Sequence, residues 1–224
     1  MYVAASLVLS VGLIAVDALG DGDVTDPDLG PYAISLLVIG NVAAFLGVPW
    51  LTTRRKGLRS LRADFGLRFR PVDAAIGVGL GFGGILAAGI VGTAIDTAFD
   101  VDETTTNVPV DALDGAGQVI VFFVAVALVT PIIEELFFRG LVYRSFLKRG
   151  VSTMGAIVRT TIVFVLPHLT AADDLASLVS LTASIAVLGL AFQIACRVTD
   201  GRLGAPIVAH VVVNSAAVIA LAVG

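Results

Sequence analysis

Long apolar runs constrain this chain more than any other feature. They occupy residues 1–19, 31–51, 72–99, 117–138, 152–169, 175–196 and 205–223, most of them about the length of a membrane-crossing helix. Roughly 20 apolar residues in a helix span the hydrocarbon core. Barrel strands are shorter and alternate apolar with polar residues. The run at 175–196 reads either as one span or as two short pieces. The first run has no basic residue ahead of it and carries Asp17 near its end, so it reads as a retained helix rather than a signal peptide. Charged residues make up 14% of the chain, against roughly 25% in a globular domain, too few to clothe a soluble fold. A net charge of −4 and a lone Cys196 exclude a nucleic-acid binder and a disulfide scaffold. The expected architecture is an all-α polytopic transmembrane bundle of about seven spans, a single integral domain over residues 1–224 with the lipid bilayer as its solvent.

The connections sort by charge. Arg54, Arg55, Lys56, Arg59, Arg62, Arg68 and Arg70, against Asp64 alone, lie between the second and third runs. Arg144, Lys148 and Arg149 follow the fourth run, and Arg197 and Arg202 the sixth. The remaining connections hold Asp21, Asp23, Asp26 and Asp28, then Asp100, Asp102, Glu103, Asp111 and Asp114, then Asp173 and Asp174. With seven spans all basic connections fall on one face, which predicts a cytoplasmic N-terminus and an outside C-terminus. The basic run reads as a topology determinant rather than a lipid clamp.

The string Gly79-Leu80-Gly81-Phe82-Gly83-Gly84 matches a dinucleotide fingerprint, but that motif has meaning only at a strand-to-helix turn. Inside an apolar helix, small residues let backbones approach, so helix packing is expected here. Cys196 reads as a small buried residue.

Ionisable groups at membrane depth are costly and by default mark function. The chain has three glutamates and two histidines, and Glu134, Glu135, His168 and His210 all fall within apolar runs. Glu135 and Arg139 are one helical turn apart and can pair. Glu134 is rotated by about 100° from Glu135, so it points elsewhere and is free to face a cavity. His210 and Asn214 share a face, as do Phe164 and His168, whose aromatic ring can wall one side of the imidazole. Glu134 and His168 are nearly equidistant from a turn at Gly150, hence level within about one turn at 1.5 Å per residue. To meet His210, the hairpin of the fourth and fifth spans must project past the inner interface. Pro131, Pro167 and Pro206 flank these residues, and broken helical bonds at depth need protein or a wet cavity as partners.

At these residues the chain resembles the type II CAAX prenyl endopeptidases and the wider Abi (CAAX protease and bacteriocin-processing) intramembrane proteins. The family's EExxxR, FxxxH and HxxxN motifs read here Glu134-Glu135-Leu136-Phe137-Phe138-Arg139, Phe164-Val165-Leu166-Pro167-His168 and His210-Val211-Val212-Val213-Asn214. The resemblance covers roughly residues 117–220, while residues 1–116 rest on hydropathy alone. It implies a glutamate-dependent intramembrane endopeptidase of the prokaryotic plasma membrane, with no cofactor and no acyl-enzyme. Glu134 would be the general base for a water that His168 helps to orient. His210 and Asn214 would stabilise the oxyanion, and Glu135 and Arg139 would form a supporting ion pair. A prenylated CAAX protein or another membrane-associated peptide would be the substrate.

Two other readings fit the same residues. Glu134, His168 and His210 could hold a zinc ion with an open position, although no HExxH occurs. Alternatively, intramembrane Glu and His could relay protons or lock helices in a non-catalytic transporter or scaffold, a reading weakened by the lack of an internal repeat.

Overall fold

The computed structural model describes residues 45–99, 101, 120, 123–171 and 174–223. Among these, all regular structure is helical. Helix α1 covers 45–56, α2 Leu61–Phe65 and α3 Pro71–Phe99. Helix α4 is built end to end from Val124–Val129, Thr130–Glu135, Leu136–Tyr143 and Arg144–Lys148. Helix α5 is Thr153–Val165 with a 3₁₀ continuation Leu166–Ala171, α6 is Leu175–Val198 and α7 is Gly204–Val223. The expected first span, most of the second, and the acidic connections at Asp21–Asp28 and Asp102–Asp114 lie outside the described residues, as does the start of the fourth span.

Helices α3 and α6 are long and apolar enough to cross a membrane, each with a mean hydropathy of 2.1. Their burial runs opposite to that of a soluble core. On α3 the buried positions include Asp73, Gly77, Gly81, Gly84 and Gly92, while Phe82, Leu86 and Ile90 point outward. Lipid tails gain nothing from hiding Leu or Phe, so close backbone approach decides which face turns inward. A Cβ on Gly77 would sit 2.6 Å from the Ala205 carbonyl, and one on Gly81 2.9 Å from the Ala209 carbonyl, both on α7. A Cβ on Gly84 would meet Ala191 of α6 at 3.2 Å. The glycine string is therefore a packing seam, though Gly79 and Gly83 face open space.

The structure bears out one expectation and corrects others. The 175–196 run is one helix, started by Asp174, whose carboxylate accepts the Ala176 and Ser177 N–H groups at 2.7 and 2.9 Å. The fourth span does not stop at Phe138, because the helix carries on to Lys148. The 152–169 run changes to 3₁₀ geometry at Leu166 because Pro167 cannot continue the α-helical ladder. Pro206 breaks nothing. It lies in the first turn of α7, where backbone N–H groups have no helical partner.

The three basic connections meet at one end of the bundle. The Leu203 N–H donates to the Gly66 carbonyl at 2.9 Å, and the Arg144 guanidinium to the Gly201 carbonyl at 2.7 Å. Gly66, Gly150 and Gly201 take φ of +72°, +78° and +78°, the left-handed conformation such turns require. Pro71 opens α3, and Asp73 in the first turn reaches back to the Arg70 N–H at 2.8 Å. The fully buried Asp73 carboxylate also receives Arg202 Nη2 at 2.7 Å and Nε at 3.2 Å, tying α3 to the α6–α7 turn.

Candidate active site

The site begins with the irregularity of α4. Two π-helical segments, Val124–Val129 and Leu136–Tyr143, flank the α-helical turns Thr130–Glu135. Such segments are rare and recur at functional sites. Pro131 explains the first of them. It has no N–H and its ring clashes with the preceding turn, so the helix widens and the Thr130 N–H bonds the Ala125 carbonyl, five residues back. The same widening leaves the Val126 carbonyl facing Pro131, which has nothing to donate. Asn214 Nδ2 of α7 takes that carbonyl at 2.9 Å. The group freed by the proline is satisfied by protein, not by a wet pocket.

One turn further along, Glu135 and Arg139 are both fully buried and pair through Oε1 and Nη1 at 2.8 Å, as their spacing predicts. Arg139 Nη2 donates to the Gly189 carbonyl of α6 at 2.7 Å. The guanidinium carbon lies 4.6 Å from the Phe164 ring centre and 5.4 Å from that of Phe192, so the cation rests against two aromatic faces. Gly189 permits this arrangement, because a Cβ there would meet Phe164 at 2.9 Å.

His210 lies between the two glutamates. Its Nδ1 is 3.0 Å from Glu135 Oε1 and its Nε2 is 3.8 Å from Glu134 Oε2. The imidazole is stacked on Phe192, with centroids 4.4 Å apart and planes 20° from parallel. Phe164 joins the two histidines: its ring centre is 5.4 Å from that of His168 and 6.0 Å from that of His210. The expected aromatic wall beside His168 is present, and its Nδ1 is also 3.1 Å from the Phe164 carbonyl. A carbonyl only accepts, so the proton is assigned to Nδ1 and the Nε2 lone pair is left open.

Glu134, Glu135, Arg139, Phe164, His168 and His210 thus gather in one interior cluster contributed by α4, α5 and α7. Asn214 reaches α4 one turn away, with one amide hydrogen taken up by Val126. Glu134 keeps 14% of its side-chain surface accessible, whereas Glu135 has none, so the adjacent carboxylates do occupy different environments. A cavity of about 300 Å³ lies elsewhere, between α3 and α6 beside Asp96, Ser180 and Ser184, and no site residue lines it. Proximity of charged groups identifies the site better than cavity volume does.

Sequence reasoning missed Phe192, the Gly189 carbonyl and Gln193. Gln193 is fully buried, and neither of its side-chain polar atoms has a hydrogen-bond partner among the described residues. The same holds for Glu135 Oε2 and Arg139 Nε. An amide in the middle of an apolar run is a readable signal for Gln193; nothing local distinguishes Phe192 from other apolar residues. Among the described residues, no group of three His, Cys, Asp or Glu side chains is arranged to hold a metal ion, Glu134, His168 and His210 included.

No curated protein and no solved structure matches the chain. Residues 116–216, which carry all three motifs and every residue of the cluster from α4, α5 and α7, match the model of a family of membrane-embedded proteases. The matched family is the one described as Type II CAAX prenyl endopeptidase Rce1-like, and the match covers 101 of the chain's 224 residues.

Proposed function

We propose that the chain is an intramembrane glutamate-dependent endopeptidase in which Glu134 activates a water for attack on a peptide bond. The observation that carries this reading is Glu134 Oε2 standing 3.8 Å from His210 Nε2, inside the bundle and beside the Phe164 ring that also touches His168. That separation is too long for a direct hydrogen bond, and one oxygen atom lying to the side of the pair contacts both groups. Glu134 takes a proton from the water as its oxygen adds to the scissile carbonyl. His168, with Nδ1 held by the Phe164 carbonyl, accepts at Nε2 a hydrogen bond from the O–H that the water keeps. The oxyanion receives hydrogen bonds from His210 Nε2 and the remaining N–H of Asn214. Collapse of the tetrahedral adduct expels the amine, which takes the proton from Glu134. Donors arranged in advance in a water-poor site contribute about 2.7–4 kcal/mol each.

The substrate in this reading is a prenylated CAAX-type peptide or another membrane-associated peptide, cleaved without a cofactor in a prokaryotic plasma membrane with the N-terminus cytoplasmic. Support comes from the family match and the apolar surroundings of the site. The test is cleavage of a quenched prenylated CAAX peptide, and of its non-prenylated counterpart, by purified protein in detergent. Glu134→Gln is expected to lower kcat/KM by about 10²–10⁴-fold, the range for a lost general base, and His168→Ala to lower it as well. A Glu134→Gln protein as active as the wild type would overturn the assignment. Loss of activity to a chelator with recovery on adding zinc would replace it with a metal mechanism.

A further inference from the structure

Both ring nitrogens of His210 face carboxylates, but the two contacts differ in kind. Nδ1 is at hydrogen-bond distance from Glu135 Oε1, 3.0 Å, while Nε2 is 3.8 Å from Glu134. Glu135 Oε1 also receives Arg139 Nη1 at 2.8 Å, so the same carboxylate oxygen is the acceptor in both contacts. The proton of this contact must then belong to Nδ1. Everything around the contact resists rearrangement. Arg139 is held from behind by the Gly189 carbonyl, and stacking on Phe192 opposes rotation of the imidazole.

We propose that Glu135 is a positioning residue for His210, locking its neutral ring in the Nδ1–H form with the Nε2 lone pair turned toward Glu134. Which nitrogen of a histidine carries the proton is set by the partner of the other, and a buried carboxylate fixing an imidazole in this way is the orienting device of hydrolytic triads. The role goes beyond that of an ion-pair partner for Arg139. It rests on the protease reading only for the use made of Nε2. There it has a definite consequence: a neutral His210 held at Nδ1 has no Nε2 proton, so donation to an oxyanion requires the doubly protonated ring, with Glu134 and Glu135 on either side and Arg139 beyond Glu135.

The chain's two histidines make the test direct. The full-length protein is labelled with ¹⁵N-histidine in detergent micelles, and His168→Gln leaves only the His210 imidazole visible. At a pH where the ring is neutral, the ¹⁵N shifts are expected to show the proton on Nδ1. In Glu135→Ala the proton is expected to move to Nε2 in most molecules. A neutral wild-type ring protonated at Nε2, or a Glu135→Ala ring unchanged from wild type, would overturn the proposal. If Glu135→Ala does not fold, the wild-type measurement decides alone. Peptide cleavage plays no part in this readout, so failure of the protease reading and failure of the tautomer lock are separate outcomes.

Discussion

Helix α3 keeps an unbroken α-helical ladder over 29 residues, whereas α4 alternates between α and π geometry from Val124 to Lys148. Between Asp73 and Asp96, α3 has no ionisable residue, and it is held to α6 and α7 by glycines that let backbones approach. Helix α4 has Pro131, Glu134, Glu135 and Arg139 within a few turns, and each needs a polar partner on another helix. The difference separates two ways of packing in lipid. A glycine seam needs only volume removed at the right positions, while a distorted, charged helix needs specific atoms delivered by its neighbours. The second is the arrangement that can do chemistry, and it is also the more fragile.

That contrast can be broken from either side, and the largest effect is expected at Arg139. Arg139→Ala leaves the Glu135 carboxylate buried with His210 as its remaining partner, and breaking a buried pair in this way costs about 3–5 kcal/mol. Denaturant unfolding in detergent measures it. Removing both charges, in Arg139→Met with Glu135→Leu, should recover most of that loss. A single variant as stable as wild type would mean that the α4 cluster is no more demanding than the seam.

On the α3 side, Gly81→Leu pushes a side chain into the Ala209 backbone and should cost about 1–3 kcal/mol, the usual range for overpacking. Gly79→Ala, directed at open space, should change stability by no more than about 1 kcal/mol, on the stabilising side. Equal effects at the two positions would remove the seam from the account. Asn214→Leu tests the link between the helices. It orphans the Val126 carbonyl at an expected cost of about 1–3 kcal/mol, whatever it does to cleavage.

The smallest effect belongs to the rim. A hydrogen bond from the Thr53 hydroxyl, followed by one from the Leu58 N–H, holds the Asp64 carboxyl below its usual value of 3.8. A carboxylate with a depressed folded-state value stabilises the protein above the unfolded value, and that contribution is lost as pH falls through the folded one. Unfolding of wild type and Asp64→Asn should therefore differ near neutral pH and converge only once the pH has fallen below the folded-state value, itself under 3.8. A difference that persists to lower pH would show that the carboxyl acts through its shape rather than its charge.

Much of the cluster is legible in the chain itself because it is local. The Glu135–Arg139 pair and the Phe164–His168 wall each lie within one helical turn, and helix geometry alone brings such residues together. The apolar runs determine in the same way that helices form and roughly where they end. Contacts between helices are another matter. In lipid a helix is apolar all round, so its sequence pattern does not say which face turns inward, and a soluble helix's polar stripe is missing as a guide. Tertiary packing alone decided that His210 meets Glu135 as well as Glu134, that Asn214 satisfies the carbonyl freed by Pro131, that Phe192 stacks on the imidazole and that Asp73 reaches Arg202. Each of these joins residues far apart in the chain, and the rotation and register that align them come from glycine contacts and buried polar groups finding partners together.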